Sequence, residues 1–206
     1  MPEVTALFWD LGGVVLTNGW DRKARHEAAA KFHLETGEFE ERHDAFVDEF
    51  ETGEMSLHEY LRRTVFYRER SFSPGDFKKY IFELSKTLPE SFPILGEVAK
   101  TGKYFVAALN NESFEINEHR IEAFHLPAYF AAFFSSCYLG LRKPEEKIYR
   151  RALSMAHRKP AESVFIDDRE LNVECAKELG MHGIHFQNAK QLRDDLAALG
   201  VNLGAK

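Results

Sequence analysis

The chain has 206 residues, of which 44% are hydrophobic and 29% are charged, and its net charge is -6. This composition is typical of a soluble globular protein with one ordinary domain, with or without a small insertion, and it requires no disulfide. The negative charge disfavours a nucleic-acid partner, and an anionic substrate would need a local cation.

The two cysteines and the first residues bear on location. Cys137 and Cys175 do not have the spacing of a metal site, and unpaired thiols fit a reducing compartment. The opening MPEVTALFWD lacks a basic segment, and the sequence contains no apolar run of about 18 residues. The sequence therefore predicts a cytoplasmic protein without a membrane partner.

Short apolar runs alternate with stretches of helical periodicity along the chain. Continuous apolar runs of this kind are typical of parallel strands that are buried on both faces. The pattern predicts an α/β fold. Pro144 is expected to open one later helix, and Gly180 to end another. The runs lie at residues 4–9, 104–109, 133–136, 164–166 and 183–186.

Residues 20–87 differ, because their apolar side chains recur at helical spacing without a strand-like run. We expect an all-helical insertion with breaks near residues 36–37, 52–53 and 73–76. Asn18-Gly19 is a tight-turn signal, which predicts a small hairpin between the first strand and the insertion. The apolar residues at helical spacing include Phe32, Phe46, Phe50, Leu57, Leu61, Phe77 and Ile81.

Polar residues occupy the positions at which such a sheet would bind a ligand. In an open parallel sheet, ligands bind beyond the carboxyl ends of the strands. Two acidic positions, an amide pair and a lysine are therefore expected at one edge. They are Asp10, Asn110, Asn111, Lys143, Asp167 and Asp168.

The chemistry of these groups points to a metal and a phosphate. Asp10 and Asp168 carry hard oxygen ligands for Mg²⁺, and the carbonyl of Gly12 would add a third. Lys143 and the amides of Asn110-Asn111 suit the oxygens of a phosphate group. With a metal offsetting the anionic charge, a carboxylate such as Asp10 can attack phosphorus and form an aspartyl phosphate.

Each residue also has an ordinary structural interpretation. Asp10 is compatible with a turn, the asparagine pair with a helix cap, and Lys143 with a solvated loop. The acidic pair would suit the start of a helix, although a metal would better relieve the repulsion between adjacent carboxylates. Trp20, beside the predicted turn, is expected either to face the site or to pack within the insertion.

The order of the motifs resembles the haloacid dehalogenase-like hydrolase superfamily, and the branch with Asp-Leu-Gly, which includes sugar-phosphate phosphatase-like proteins, is the most similar. The resemblance implies a Rossmann-like three-layer α/β core with a parallel sheet, formed by residues 1–17 and 88–206. It also implies a small helical cap at residues 18–87. The motifs are Asp10-x-Gly12-Gly13-Val14, a strand ending in LeuAsnAsnGluSer, ArgLysPro at 142–144 and PheIleAspAspArgGluLeuAsn at 165–172.

The resemblance implies a role for each matching position. Asp10 matches the nucleophile, and Lys143 matches the lysine that pairs with the nucleophile and the phosphate. Asn110 falls where Ser or Thr usually binds the transferring phosphoryl group, and Asn111 follows it. Asp168 aligns best with the main metal-binding acid and Asp167 with an outer ligand, although the reverse assignment stays open.

The chain departs from the family pattern at two positions. Phosphatases of the family usually have a general acid two residues after the nucleophile, and here that residue is Gly12. General acid-base help contributes about 10² to 10⁴ in rate. Turnover is therefore expected to be slow, or confined to good leaving groups, unless another group supplies the proton. Asn110 in place of Ser or Thr is a milder change, because it keeps a hydrogen-bonding side chain.

Three functions follow from these residues. The leading hypothesis is a Mg²⁺-dependent phosphatase that acts on a small phosphorylated metabolite, such as a sugar phosphate, beneath a closing cap. The second is a metal-independent 2-haloacid dehalogenase, which the paired acids Asp167 and Asp168 disfavour. The third is a binding or regulatory protein of low activity, motivated by Gly12. The sequence indicates neither the substrate nor the oligomeric state.

Overall fold

A five-stranded parallel sheet lies at the centre of the computed structural model, which describes residues 2–204. The strand order is β3-β2-β1-β4-β5, and every pairing is parallel. The predicted α/β fold is confirmed, and the five apolar runs form the strands with ends shifted by a few residues. The strands are β1 Ala6–Trp9, β2 Phe105–Ala108, β3 Ala132–Phe133, β4 Ser163–Asp167 and β5 His182–His185.

Helices connect the strands and fill the insertion. The first four α-helices of the described residues are α1 Arg22–Lys31, α2 Thr36–Glu51, α3 Leu57–Thr64 and α4 Pro74–Glu83. The later ones are α5 Phe92–Lys100, α6 Phe114–Ala123, α7 Ser136–Leu139, α8 Glu146–Met155, α9 Glu170–Glu178 and α10 Ala189–Ala198. Within residues 2–204, none of the helices has both the length and the apolar character needed to cross a bilayer.

The two faces of the sheet are covered by different helices. Leu7 and Trp9 of β1 point into a core that α5 and α10 help to form. Ala6 and Phe8 point the other way, into a core shared with α8 and α9. This alternation follows from the two-residue period of a strand. The core therefore has three layers, as the resemblance implied.

The strand register places the polar motifs at one edge. Trp9, the last residue of β1, is level with Ala108 of β2 and with Ile166 of β4. The backbone N–H of Asp10 donates to the carbonyl of Ile166 at 2.8 Å. Asp10 therefore leaves the sheet beside the ends of both neighbouring strands, as expected for a ligand site at the carboxyl edge.

The helices α1 to α4 form a third apolar cluster, with Trp20 and Ile116 of α6. Phe77 lies at its centre, within ring-contact distance of five other aromatic side chains. The expected breaks near 52–53 and 73–76 coincide with the end of α2 and the start of α4, while 36–37 forms the first turn of α2. The Phe-rich stripe is therefore a helical core, and the insertion contains no strand among the described residues.

The turn expected at Asn18-Gly19 lies earlier in the chain. Gly12 bridges Leu16, and the N–H of Gly13 donates to the carbonyl of Leu16 at 2.8 Å. The tight turn therefore occupies residues 13–15, where Gly13 has a positive φ of 76°. The placement of the hairpin at Asn18-Gly19 was wrong, because the pairing of Gly12 with Leu16 sets the turn.

The two chain segments that enter and leave the insertion run side by side. Leu16 and Thr87 form an antiparallel bridge, and the N–H of Thr17 donates to the carbonyl of Lys86 at 2.8 Å. This pairing lies where the resemblance places the domain boundaries. We propose that residues 18–87 are a cap on a core of residues 1–17 and 88–206, with these paired segments at the boundary.

Candidate active site

Lys143 is a buried cation between two carboxylates. Its side chain is 2% exposed, and its Nζ lies 2.8 Å from Oδ1 of Asp10 and 2.5 Å from Oδ2 of Asp167. Asn111 fixes the backbone of Lys143 by accepting its N–H at 2.8 Å and donating to its carbonyl at 2.9 Å. Burial lowers the pKa of Lys143, but the two carboxylates more than offset this and keep it raised. The solvated-loop interpretation of Lys143 is therefore wrong.

Asp10 is a buried carboxyl whose proton affinity is set by opposing neighbours. Burial raises its pKa most, Lys143 lowers it, and Asp167 and Asp168 raise it again, so that the pKa of Asp10 reaches about 7. A divalent cation at this position would remove the repulsion and favour the carboxylate form. A free carboxylate is the form that can act as a nucleophile.

Asp167 has its oxygens occupied by protein donors. Oδ1 accepts the N–H of Arg169 at 2.8 Å, and the side-chain amide of Asn172 lies 3.0 and 3.1 Å from the two oxygens. With the ammonium of Lys143 on Oδ2, this carboxylate orients its neighbours. The bond to Arg169 also gives Asp167 the local turn role that an acid before a helix often has.

Asp168 is packed against the loop that follows β1. A Cβ atom placed on Gly13 would lie 2.3 Å from Oδ2 of Asp168, so the glycine allows this carboxylate to approach. Burial and the charge of Asp167 raise the pKa of Asp168. Its backbone carbonyl lies 3.0 Å from Nε2 of His185, which is the only contact of that histidine with this site among the described residues.

The acidic groups fit a hard divalent cation. Oxygen atoms of Asp10, Asp167 and Asp168 all lie within 4.8 Å of one another. Carboxylate oxygens are the donors that Mg²⁺ prefers. Burial first, and then the charges of neighbouring carboxylates, raise the pKa values of Asp10 and Asp168, and a bound cation would favour their ionised forms. Asp10 and Asp168 have fewer protein partners than Asp167, so they are the better candidates for direct ligands.

A cavity of about 70 Å³ lies between the core and the helical insertion. The core contributes Asp10, Gly12, Asn111, Lys143, Asp168 and Arg169 to the lining. The insertion contributes Trp20, Asp21, His43, Phe50 and Glu51. Reactive groups on the sheet edge therefore face a wall built by the insertion.

Trp20 packs within the insertion and also lines the site, so both expectations for it apply. It is 8% exposed, lies in the aromatic core of the insertion and also lines the cavity. Its Nε1 donates to the hydroxyl of Tyr60 at 3.0 Å. The indole is thus held in place by packing and by one hydrogen bond, with an edge left to the cavity.

Asn110 is not among the residues that line the cavity, and its expected phosphoryl contact stays a prediction. Its Nδ2 donates to Oδ1 of Asn117 at 3.0 Å, and its Oδ1 accepts the hydroxyl of Ser135 at 2.8 Å. Asn110 and Asn111 leave the strand end on opposite sides, so only Asn111 reaches the site. Ser113, and neither asparagine, is the residue that precedes α6.

The cap residues His43 and Glu51 were not among the site residues found from the sequence. The Nδ1 of His43 lies 2.8 Å from the hydroxyl of Tyr60, and burial together with the charge of Arg25 lowers the pKa of His43 to about 4. His43, Phe50 and Glu51 lie on one face of α2 because they are seven and eight residues apart. This helical spacing is the feature of the sequence that could have placed His43 and Glu51 on the same side of the insertion.

The space beside Gly12 is occupied by neighbouring side chains. A Cβ atom at Gly12 would lie 3.0 Å from Oδ1 of Asn18 and 3.7 Å from Nη1 of Arg120. The guanidinium of Arg120 is buried and pairs with Glu112 at 3.1 Å. An acid at position 12 would have to displace Asn18, which is consistent with the absence of an acid at this position.

Comparison with protein families identifies the fold and chemistry class. The model of the haloacid dehalogenase-like hydrolases matches residues 4–180. The chain belongs to this family. The strand order, the helical insertion after β1 and the acidic edge of the sheet are thus those of a haloacid dehalogenase-like hydrolase.

Curated relatives of this hydrolase match over part of their length. Flavin mononucleotide hydrolase 1 of Arabidopsis thaliana is 44% identical over 78 residues, which are 38% of this chain and 32% of that protein. A sesquiterpene phosphatase of Aspergillus oryzae is 35% identical over 60 residues, or 29% of this chain and 31% of that protein. The matches therefore span about a third of the length of these relatives.

Solved structures share the whole fold of this hydrolase. A haloacid dehalogenase family enzyme from Bacteroides thetaiotaomicron superposes with a TM-score of 0.78 at 23% identity, covering 91% of this chain and 95% of that one. The same enzyme in complex with magnesium and inorganic phosphate gives a TM-score of 0.74 and covers 90% of this chain and 95% of that one. At this identity the likeness establishes the fold.

Proposed function

We propose that this hydrolase is a Mg²⁺-dependent phosphatase that removes phosphate from a small phosphorylated metabolite through an aspartyl phosphate on Asp10. The observation that carries the proposal is the position of Lys143. Its buried ammonium group contacts Asp10 and Asp167, two of the three carboxylates of the acidic cluster. A cation that pairs with a nucleophilic carboxylate can also pair with the oxygens of a phosphoryl group.

Each site residue has a separate role in the proposed phosphoryl transfer. Asp10 attacks phosphorus, and the bond to the leaving-group oxygen breaks as the Asp10 oxygen to phosphorus bond forms. Lys143 holds Asp10 in place and offsets negative charge on the phosphoryl oxygens. Asn111 holds the backbone of Lys143. Mg²⁺, held by Asp10, Asp168 and the Gly12 carbonyl, would supply charge stabilisation at the phosphoryl group.

The cavity size supports a small reacting group beneath a closed cap. At roughly 10–15 Å³ for each water-sized sphere, 70 Å³ is room for about five waters. That volume accommodates a phosphate group, whereas sites for drug-sized ligands have about 300–1,000 Å³. The remainder of a substrate would enter when the cap opens, and closure would exclude water from the intermediate.

The relatives support the hydrolysis of a phosphate ester, but they do not indicate one substrate. Two relatives are named as a flavin mononucleotide hydrolase and a sesquiterpene phosphatase, so their names give two different substrates. A structural neighbour was solved with magnesium and phosphate. A sugar phosphate, a cytoplasmic location and the lack of nucleic-acid and membrane partners stay predictions from the sequence.

Phosphate release from a panel of sugar, nucleotide and aryl phosphates tests the proposal. We expect turnover that requires Mg²⁺, stops with a chelator and is lost in Asp10→Asn, while the exposed control Asp194→Asn keeps wild-type rates. Full activity of Asp10→Asn, or turnover that persists in the chelator, would contradict it. Chloride release from a 2-chloro acid without Mg²⁺ would instead support the dehalogenase.

A further inference from the structure

Gly12 leaves the proposed phosphatase without the proton donor that its reaction needs. An alkoxide is a poor leaving group, so a positioned acid accelerates its departure by about 10² to 10⁴. The donor must line the cavity that holds Asp10 and Lys143, and it must have an oxygen free of other partners. The candidate donors are therefore the carboxyl groups of the cavity lining.

Most of these carboxyl groups are already engaged. Asp10 pairs with Lys143, and Asp168 belongs to the acidic cluster. Asp21 is the N-cap of α1, and its Oδ1 accepts the N–H of Ala24, which holds its side chain against the start of that helix. Glu112 accepts the N–H of Ser113 with one oxygen and pairs with Arg120 through the other.

Glu51 is the carboxyl group of the lining with a buried oxygen that makes no hydrogen bond among the described residues. That oxygen is Oε2, which forms an ion pair with Nη2 of Arg142 at 2.8 Å. The side chain is 25% exposed, and it belongs to the cavity lining. A carboxyl group that lines the cavity and has an oxygen without a hydrogen bond is able to exchange a proton with a bound ligand.

The end of α2 that carries Glu51 is fixed to the core. The hydroxyl of Ser136 donates to the backbone carbonyl of Glu51 at 2.6 Å. Two residues later, Gly53 lies so close to the core that a Cβ atom would be 2.3 Å from the carbonyl of Cys137. Arg142, next to Lys143 in sequence, also pairs with Asp48 of α2. Docking of the cap thus places Glu51 over the catalytic edge.

The surroundings of Glu51 favour its protonated form near neutral pH. Burial raises its pKa most, and the negative charge of Glu112 raises it further, to about 7. Neighbouring cations oppose this shift without removing it. His43, in contrast, has a pKa lowered to about 4 and is neutral at the pH at which Glu51 still holds a proton. The charged groups around Glu51 are Arg25, Glu112, Arg142, Lys143 and Arg169.

We propose that Glu51, from the cap helix α2, is the general acid and base that takes the place of the acid missing at Gly12. This inference rests on the proposed phosphatase function. In the first half, Asp10 forms a bond to phosphorus while the leaving-group oxygen departs with the proton of Glu51. The products are a neutral alcohol, phosphorylated Asp10 and an ionised Glu51.

In the second half, the ionised Glu51 takes a proton from the attacking water. The water oxygen forms a bond to phosphorus, and the bond between phosphorus and Asp10 breaks. Inorganic phosphate and the free carboxylate of Asp10 are released, and Glu51 is again protonated. Because the acid resides on the cap, both proton transfers require the docked cap, which confines chemistry to the closed state.

The test compares Glu51→Gln with Glu49→Gln, a matched control on the same helix whose side chain is exposed. With alkyl phosphates we expect Glu51→Gln to lose about 10² to 10⁴ in kcat, and Glu49→Gln to retain the wild-type rate. With p-nitrophenyl phosphate, whose leaving group needs no proton, Glu51→Gln is expected to release one burst of nitrophenolate per site. Slow steady turnover follows, because the attacking water has lost its base.

The pH profile separates this role from a purely structural one. In the wild type, kcat/KM for alkyl phosphates is expected to fall as pH rises above about 7, when Glu51 loses its proton. That alkaline decline is expected to be absent in Glu51→Gln. Equal losses on alkyl and aryl esters with no burst, or wild-type rates in Glu51→Gln, would overturn the inference.

A leaving-group series on the wild type and the comparison with Asp10→Asn complete the test. If Glu51→Gln does not fold, a series of aryl and alkyl phosphates on the wild type replaces it, and a rate that falls steeply as the leaving group becomes more basic overturns the inference. Asp10→Asn separates the proposed phosphatase function from the proposed role of Glu51. Loss in Asp10→Asn together with wild-type activity in Glu51→Gln would leave the phosphatase standing and remove Glu51 from its mechanism.

Discussion

The ammonium group of Lys143 lies 2.8 Å from the carboxylate of Asp10, and both side chains are almost completely buried. Asp167 contacts the same ammonium group from the other side. Buried charges persist when each has a partner, because the desolvation of an unpaired ion is costly. The three residues therefore form one electrostatic unit, and the loss of the cation leaves two carboxylates without their common partner.

Lys143→Met tests this unit. Removing one partner of a buried ion pair costs about 3–5 kcal/mol in the free energy of unfolding. Loss of the cation that offsets phosphoryl charge is expected to lower kcat by about 10² to 10³. The exposed control Lys147→Met should change stability by less than about 0.5 kcal/mol. Denaturant unfolding and phosphate release measure both effects, and equal behaviour of the two variants would contradict the assignment.

Binding of Mg²⁺ is expected to depend on pH through Asp10. The folded pKa of about 7 lies above the ordinary value of 3.8, so without a metal Asp10 contributes a growing destabilisation as pH rises through that range. A metal binds the ionised form and removes this penalty. The thermal shift caused by Mg²⁺ should therefore be larger at about pH 8 than at about pH 5.5.

Asp168→Asn and Asp10→Asn are the controls for the Mg²⁺ measurement. Asp168→Asn removes a proposed ligand, so the Mg²⁺-induced shift should disappear at both pH values. Asp10→Asn cannot titrate at this position, so any remaining shift should vary less with pH. A Mg²⁺ shift of equal size at both pH values in the wild type would show that Asp10 is not coupled to the metal.

The sheet could be predicted because its strands are continuous apolar runs that end at polar residues. Trp9 and Ile166 are level in the register, so the residues that follow them, Asp10 and Asp167, meet at one edge. The turn after β1 was misplaced, because Gly12 pairs with Leu16 through the backbone, and side-chain identities do not reveal that contact. The apolar and polar pattern of the sequence therefore predicted which motifs lie close together. The conformation of the loop after β1 depends on backbone pairing, which that pattern does not show.

The cap side of the site could not be predicted from local pattern. Glu51 and His43 belong to an ordinary amphipathic helix, and only the docking of that helix on Ser136 and Arg142 turns them toward the cavity. Those contacts join residues that are far apart in sequence. Burial in the docked structure is the largest cause of both pKa shifts, so the protonation states of His43 and Glu51 could not be predicted from the sequence either.

Gly13→Ala is expected to affect both stability and metal binding. The positive φ of 76° costs an alanine about 1–2 kcal/mol. Its Cβ would also lie 2.3 Å from Oδ2 of Asp168, so the carboxylate must move. Gly102→Ala is the matched control, since it has a φ of 61° with no atom within 4 Å of its Cβ. It should lose a similar strain energy but keep the wild-type affinity for Mg²⁺, as measured by titration calorimetry.

Equal Mg²⁺ affinities in Gly13→Ala and Gly102→Ala would show that Asp168 is free to adjust, or that it is not a ligand. The comparison removes the contribution of backbone strain, because both glycines adopt the left-handed conformation. Any difference in affinity between the two variants then reports the contact between position 13 and the carboxylate of Asp168.

The adjacent residues Asn110 and Asn111 are expected to respond differently to replacement by alanine. Asn110→Ala removes two buried hydrogen bonds and leaves Asn117 and Ser135 with only their bond to each other, so the free energy of unfolding should fall by about 1–3 kcal/mol while KM stays unchanged. Asn111→Ala frees the backbone of Lys143, and misplacement of that ammonium group should lower kcat by about 10- to 100-fold. Denaturant unfolding and steady-state kinetics on both variants make the comparison. A raised KM with unchanged stability in Asn110→Ala would instead place its amide on the phosphoryl group, as the family resemblance implied.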